Sequence, residues 1–291
     1  SMLDGAALHK HRSDTAEDPW FQAHVALCSV PGAGVWLTAP PAEDGRELDT
    51  PLFQIALKRR LRCPVADTDA ACPCCGQVLD RWGDHALVCG CGGDRTVRHN
   101  AVRNVCFQEA AAAAARPELE KAGLLPRRPA EDGLPACGGA RRPADIWLPR
   151  GVHGDAEALD FAATSGLQAG LFRQVADNTG HVFLRYEEFK RNHLQTDEQC
   201  REAGVRFTPM VLESHGGGWS GRVRGFVDWI ARATAAAHHT DAAEESLRIA
   251  QRIGVTLQRE NARAVLKRLV PVSTGPGPSG WAAAAADSDV W

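Results

Sequence analysis

A chain of 291 residues is long enough for one large or two small domains, each with its own core. With 44% hydrophobic and 24% charged residues it has the make-up of an ordinary globular protein, and no stretch approaches the ~20 apolar residues of a membrane span. A net charge of −3 excludes bulk electrostatics as a basis for nucleic-acid binding, so any such role must rest on local basic runs.

In chain order, residues 1–30 are polar and weakly patterned, with no apolar leader and no cleavage site. Without a signal peptide the ten cysteines are expected to stay reduced, and reduced cysteines in a tight cluster point to metal rather than disulfides. After the breaker Pro40-Pro41, the helical spacing of Phe53, Ala56, Leu57 and Leu61 predicts an amphipathic helix over 51–62. A cysteine-rich knuckle fills about 63–93. A helix is predicted over 98–115, stopped by Arg116-Pro117, and a Pro/Gly-rich connector over 117–140 holds one short strand near Leu124-Leu125. The segments ADIWLP and EALDFAAT read as two strands joined by the turn RGVHGDA. A helix over 182–202, the strand RFTPMVLE ended by Gly216-Gly217-Gly218, and helices near 220–238 and 241–269 complete the pattern. The chain thus divides into a helical lead-in (1–62), a knuckle (63–97), an α/β core (98–219), C-terminal helices (220–270) and a Gly/Pro/Ala-rich tail expected to be disordered (271–291).

The knuckle carries five cysteines within 20 residues. Cys72 and Cys75 have the C-x2-C spacing that lets two thiolates hold one tetrahedral ion from a tight turn. His85 and Cys89 lie one helical turn apart, so they can close the site. Cys74 and Cys91 are spare thiols that could replace a neighbour, and His99 is an outside candidate. Four protein ligands leave no open position, so a zinc here would be structural. The competing reading is a set of buried free cysteines. Basic residues bracket the knuckle: Lys58, Arg59, Arg60 and Arg62 before it, Arg95, Arg98, His99 and Arg103 after it. A solvated helix face explains each run alone; together, Arg95, Arg98 and Arg103 are expected to contact DNA phosphates.

A second constellation is acidic. Asp145 opens one predicted strand and Asp160 sits at the centre of the next, and in a hairpin the two can share a face and hold Mg²⁺ or Mn²⁺ through hard oxygen ligands. Glu109 is a candidate third acid, because it shares a helical face with apolar Val102, Val105 and Ala112 and an inward acid needs a partner. Glu213, at the end of its strand, is an alternative. Lys190, four residues after Tyr186 and on the same inward helix face, is the candidate cation beside the phosphate. The bland alternatives are a turn-capping aspartate and a solvated lysine.

The order of these parts is a CCHC knuckle, then RHNAVRNV, Arg-Pro-Ala-Asp, an aspartate at 160, a Tyr/Lys helix, and Phe-Thr-Pro-Met-Val-Leu-Glu-Ser. It resembles the C-terminal part of site-specific non-LTR retrotransposon polyproteins, a zinc knuckle followed by a restriction-like endonuclease of the PD-(D/E)XK class. The resemblance covers about 50–265. It implies a restriction-endonuclease-like mixed sheet flanked by helices and preceded by the small zinc knuckle. It also implies a nuclear DNA endonuclease that nicks target DNA to expose a 3′-hydroxyl for reverse transcription. Asp145, Asp160, Lys190 and Glu109 would be its catalytic residues, with Mg or Mn as catalytic and Zn as structural cofactor, and Arg142 would join the DNA contacts. DNA is the expected partner, element RNA a second candidate, and a reverse transcriptase region is expected on a longer parent chain. The sequence departs from the family pattern in three places. Ala144 is inserted between Pro143 and Asp145. Ala162 stands where a lysine follows the second acid. The family's Lys-x3-Tyr order is reversed as Tyr186-x3-Lys190. The rival readings are an inactive zinc-containing nucleic-acid-binding module from a decayed retroelement, and a zinc-stabilised interaction domain.

Overall fold

The computed structural model describes residues 18–41, 45–125 and 143–269. Arg142, the first 17 residues and the expected tail lie outside the described residues.

The chain enters through helix α1 (Pro19–Cys28), capped by the Asp18 carboxylate, which accepts from the Trp20 and Phe21 amides. This helix does not show in the sequence pattern, because PWFQAHVALC has too few polar residues for an amphipathic stripe. Helix α2 (Thr50–Arg60) follows, then a small antiparallel hairpin, β1 (Ala70–Ala71) with β2 (Val78–Leu79), and the short helix α3 (Asp84–Val88). Helix α4 (Asp94–Ala112) starts ahead of the expected residue 98, because Gly93, at φ 74°, turns the chain straight into it.

Four strands form a mixed sheet in the order β3 (Glu118–Leu119), β4 (Ile146–Leu148), β5 (Glu157–Thr164), β6 (Arg206–Glu213). β3/β4 and β4/β5 are antiparallel and β5/β6 parallel. The edge strand lies at Glu118–Leu119 rather than at Leu124-Leu125; Leu125 is instead buried against Ala144, Ala158 and Phe207. The parallel pairing demands a crossover. It is made by α5 (Phe172–Asp177), α6 (Gly180–Asn192) and α7 (Thr196–Glu202). A single helix was expected over 182–202. Leu194 and Gln195 break it by adopting φ 54° and 56°, and Asp197 and Glu198 then favour a fresh helix N-terminus. Helices α8 (Gly221–His238) and α9 (Ala242–Leu269) close the chain.

The two-residue period of a strand sorts the sheet's side chains into two layers. Leu159 and Phe161 of β5, Ile146 and Leu148 of β4, and Met210 and Leu212 of β6 join Val102 and Val105 of α4 and residues of α8 and α9 in one core. On the other face Ala158 and Phe207 meet Cys200 of α7, and Val211 meets Val182 and Phe183 of α6. The knuckle has its own cluster, built with Leu52 and Ile55 of α2 and Ala262 and Val265 of α9. The segments separated above by pattern therefore share cores. No helix among the described residues is long and apolar enough to cross a membrane.

Candidate functional site

In the knuckle, the Cys72 N–H donates to Gln77 O and the Gly76 N–H to Cys72 O, a tight turn that Gly76 closes at φ 74°. Asp80 fixes the other half: its carboxylate accepts from the amides of Trp82, Asp84 and His85, aiming the imidazole back at the turn. As a result the ligand atoms of Cys72, Cys75, His85 and Cys89 all lie within 4.8 Å of one another, with Cys75 Sγ 3.2 Å from His85 Nε2. Burial raises the Cys72 thiol, but the Cys74 and Cys75 amides and the His85 side chain outweigh it and bring it down to about 6, towards the thiolate a metal needs. These four residues could hold a metal ion, and three sulfurs with one imidazole nitrogen are a donor set compatible with zinc. Cys74 and Cys91 stand outside the convergence, and His99 is used elsewhere.

A second convergence lies on the sheet. Asp145 sits just before β4, and its Oδ2 accepts from the Phe161 amide of β5 at 2.6 Å, where a strand carbonyl would otherwise continue the ladder. The β4/β5 register, which pairs Ile146 with Leu159, sets Asp145 opposite Asp160, close enough for the two carboxyls to act on each other. His99 Nε2, from α4, is 3.0 Å from Asp145 Oδ1. Lys190 Nζ, from α6, is 2.9 Å from Asp160 Oδ2 and 3.1 Å from Oδ1. The acids are driven apart in acidity. Burial raises Asp145, but His99 and the Phe161 amide outweigh it and hold the carboxyl below the usual range. Burial and the facing Asp145 outweigh Lys190 at Asp160 and push it up to about 6. Asp145, His99, Arg95, Arg103 and Tyr186 line a cleft of about 260 Å³ floored by Phe161, Ala162 and Ala163.

The structure thus brings Asp145, Asp160 and Lys190 together and adds His99, whose part the sequence reading missed. Its signal was the stripe Arg95, His99, Arg103, which recurs every four residues along one face of α4.

Two assigned residues are placed differently. Glu109 is only 2% exposed and forms ion pairs with Arg248 and Arg252 of α9, at 2.7 and 2.6 Å. It lies about 15 Å along the α4 axis from His99, too far to join the acid pair. Glu109→Ala is therefore expected to cost about 2 kcal/mol, read as a lower urea midpoint; an unchanged midpoint would contradict this structural placement. Arg98 is 2% exposed, donating to Leu87 O and Asn261 Oδ1, and so is closed to a phosphate. Arg103 is held by Glu120 Oε1 at 2.8 Å, while Arg95 is exposed on the cleft wall with no ion pair among the described residues. Glu213 is fully buried and spends its oxygens on the Gly166, His215 and Gly216 amides.

A further cluster, His24, Cys28 and His215, also brings ligand atoms together. A guanidinium only donates. His215 Nδ1, 3.0 Å from Arg59 NH2, must therefore accept, so its proton sits on Nε2 and is given to His24 Nδ1 at 2.7 Å. A protonated Nε2 has no lone pair for an ion. Burial, with Arg62, Arg60 and Arg59 alongside, holds His24 down at about 4, and burial and Arg59 likewise hold His215 neutral. The relay fastens α1 to the loop after β6.

Comparison with protein-family models, curated proteins and solved structures gave no match to this chain.

Proposed function

We propose that this chain is a metal-dependent DNA endonuclease of the restriction-like type with a structural zinc knuckle, as in the C-terminal part of a non-LTR retrotransposon polyprotein. The observation that carries the reading is the meeting of Asp145, Asp160 and Lys190, from strands and a helix far apart in sequence, with Asp145 on the wall of an open cleft and the other two behind it. Two carboxylates suffice for Mg²⁺ or Mn²⁺, which commonly takes one or two protein acids and fills its shell with waters and phosphate oxygens, so Glu109 is not needed. A bound ion would acidify water and neutralise charge on the phosphate. Asp145, kept ionised and oriented by His99 and the Phe161 amide, offers the permanent negative oxygen. Lys190, paired with Asp160, would take the part of the lysine that Ala162 replaces and would offset the negative charge gained by the phosphate. DNA as substrate, element RNA as a second partner, nuclear action and a longer parent chain with a reverse transcriptase come with the resemblance.

Nicking of supercoiled plasmid by the purified chain, with and without Mn²⁺, tests this. Nicking that depends on Mn²⁺ is expected. One observation favours the rival reading, a nucleic-acid-binding module that does not cut: His99 and the Phe161 amide satisfy Asp145, and Lys190 satisfies Asp160, without any ion. Plasmid bound but never nicked would decide for it.

Asp160 also sets a pH dependence. Its folded pKa of about 6 lies above the ordinary carboxyl value, so the native state holds the extra proton. Without an ion, stability should therefore fall as the pH climbs from about 4 to about 6. Mn²⁺ must displace that proton, so its affinity should rise over the same interval and flatten above it. Calorimetric Mn²⁺ titrations between pH 5 and 7 check this, and an affinity independent of pH there would contradict the assignment.

A further inference from the structure

The cleft beside Asp145 adjoins a second compartment, and the two share Arg95, Ala163 and Tyr186. The second compartment measures about 290 Å³. That is about twice the roughly 150 Å³ of a cavity that takes up benzene, so it has room for one heterocyclic base. Its walls are of two kinds. Val88 from the knuckle and Phe189 and Tyr186 from α6 are among its lining residues, with Leu87 buried behind Val88, and they give aliphatic and aromatic surface on which a flat ring can stack. Gln168 supplies a polar edge. Its Nε2 donates to Ser165 O at 2.6 Å and to Thr164 Oγ1 at 3.4 Å, which fixes the amide and leaves Oε1 as an acceptor. Arg95 and Arg185 stand exposed at the compartment, and neither has an ion pair among the described residues.

Apolar and aromatic side chains for a ring, a fixed amide, two uncommitted guanidinium groups and an acid pair next door match the parts of a nucleotide. Resting on the nuclease reading above, we propose that this compartment receives an unpaired nucleobase next to the phosphate at Asp145, so that the preferred substrate is DNA with a single-stranded or unstacked nucleotide. The base packs against Phe189, Tyr186 and Val88 and donates to Gln168 Oε1, while Arg95 and Arg185 hold the flanking phosphates. A base inside a perfect duplex must first leave its stack, which costs a few kcal/mol, whereas a bulged or single-stranded base enters without that cost. The knuckle then has a direct part in recognition, because Leu87 and Val88 lie between the ligands His85 and Cys89.

The test is fluorescence anisotropy of the full chain with labelled 20-mers, without added divalent ion: single-stranded, duplex with one central bulged base, and perfect duplex. Single-stranded and bulged DNA are expected to bind at least ten-fold tighter than perfect duplex. Gln168→Ala with Phe189→Ala, both at accessible positions, should reduce the difference to within two-fold while duplex binding stays as it was. Equal or tighter binding of perfect duplex by the wild type overturns the proposal, as does a double variant that keeps the full preference. Asp160→Ala, assayed in parallel, separates the two readings. If it keeps the preference and loses nicking, both stand; if it still nicks, the acid-pair reading fails while the anisotropy result still decides the base site.

Discussion

Asp160→Ala and Asp145→Ala are each expected to lower Mn²⁺-dependent nicking by more than about a thousand-fold, on the order of 4 kcal/mol of barrier. Each removes one of the two oxygen donors that meet beside the cleft. Lys190→Ala should cost less, about a hundred-fold, because it removes charge stabilisation at the phosphate while both acids remain. His99→Ala should act through Mn²⁺ affinity, by about ten- to hundred-fold, since it orients Asp145 and holds it ionised. A control on folding is needed. Asp160→Ala strands the buried Lys190 ammonium, so a drop in melting temperature is expected that Asp160→Ala with Lys190→Met should largely reverse. Moving the lysine provides a sharper check. Ala162→Lys in the Lys190→Ala background restores an ammonium two residues after the second acid, and partial recovery of nicking is expected. Full nicking by Asp160→Ala would end the acid-pair account.

Metal removal should have the larger structural effect. One zinc per chain is expected on metal analysis, released only by strong chelation, with loss of structure over 63–95 when it goes. In finger peptides of this kind the ion supplies about 10–16 kcal/mol, and this knuckle's two short strands and five-residue helix cannot replace it. The damage should spread along named contacts. Arg98 loses Leu87 O, Arg268 loses Cys91 O, and Leu52, Ile55 and Val265 lose the surface they pack on. Hydrogen exchange should therefore quicken in α2 and the last turns of α9 as well as in the knuckle. Stable protein with only traces of zinc, or exchange confined to 63–95, would refute this coupling.

The sequence revealed what local pattern controls. RFTPMVLE appears as β6 with the expected ends, because its flanks are a glycine turn and a glycine run. Lys190 could be placed by its helix face alone, since Val182 and Phe183 on α6 also turn inward. Hidden from view were the partners. Glu109 was rightly read as an inward acid in need of a counter-charge, but that charge comes from Arg248 and Arg252, 139 and 143 residues away on a helix whose packing no local period discloses. Arg98 shows the opposite failure. It lies on the same inward stripe as Val102, Val105 and Glu109, so its burial is legible in the period, although arginine is a residue type that mostly stays exposed. The break at Leu194 left no mark because neither it nor Gln195 is a residue that prefers left-handed backbone.

Helix α9 carries a consequence for inheritance. Its Asn261 holds Arg98, its Val265 sits 3.1 Å from where a Cβ at Gly83 would stand, and its Arg268 ties Asp94 and the Cys91 carbonyl. The knuckle's counterpart surface is thus encoded more than 150 residues downstream of the knuckle itself. A recombination event that grafted a foreign knuckle onto this core would bring the ligands without the surface they rest on. Transplants should succeed only when the segment around 261–268 travels with them, so the two stretches are expected to vary as a pair among descendants of this chain.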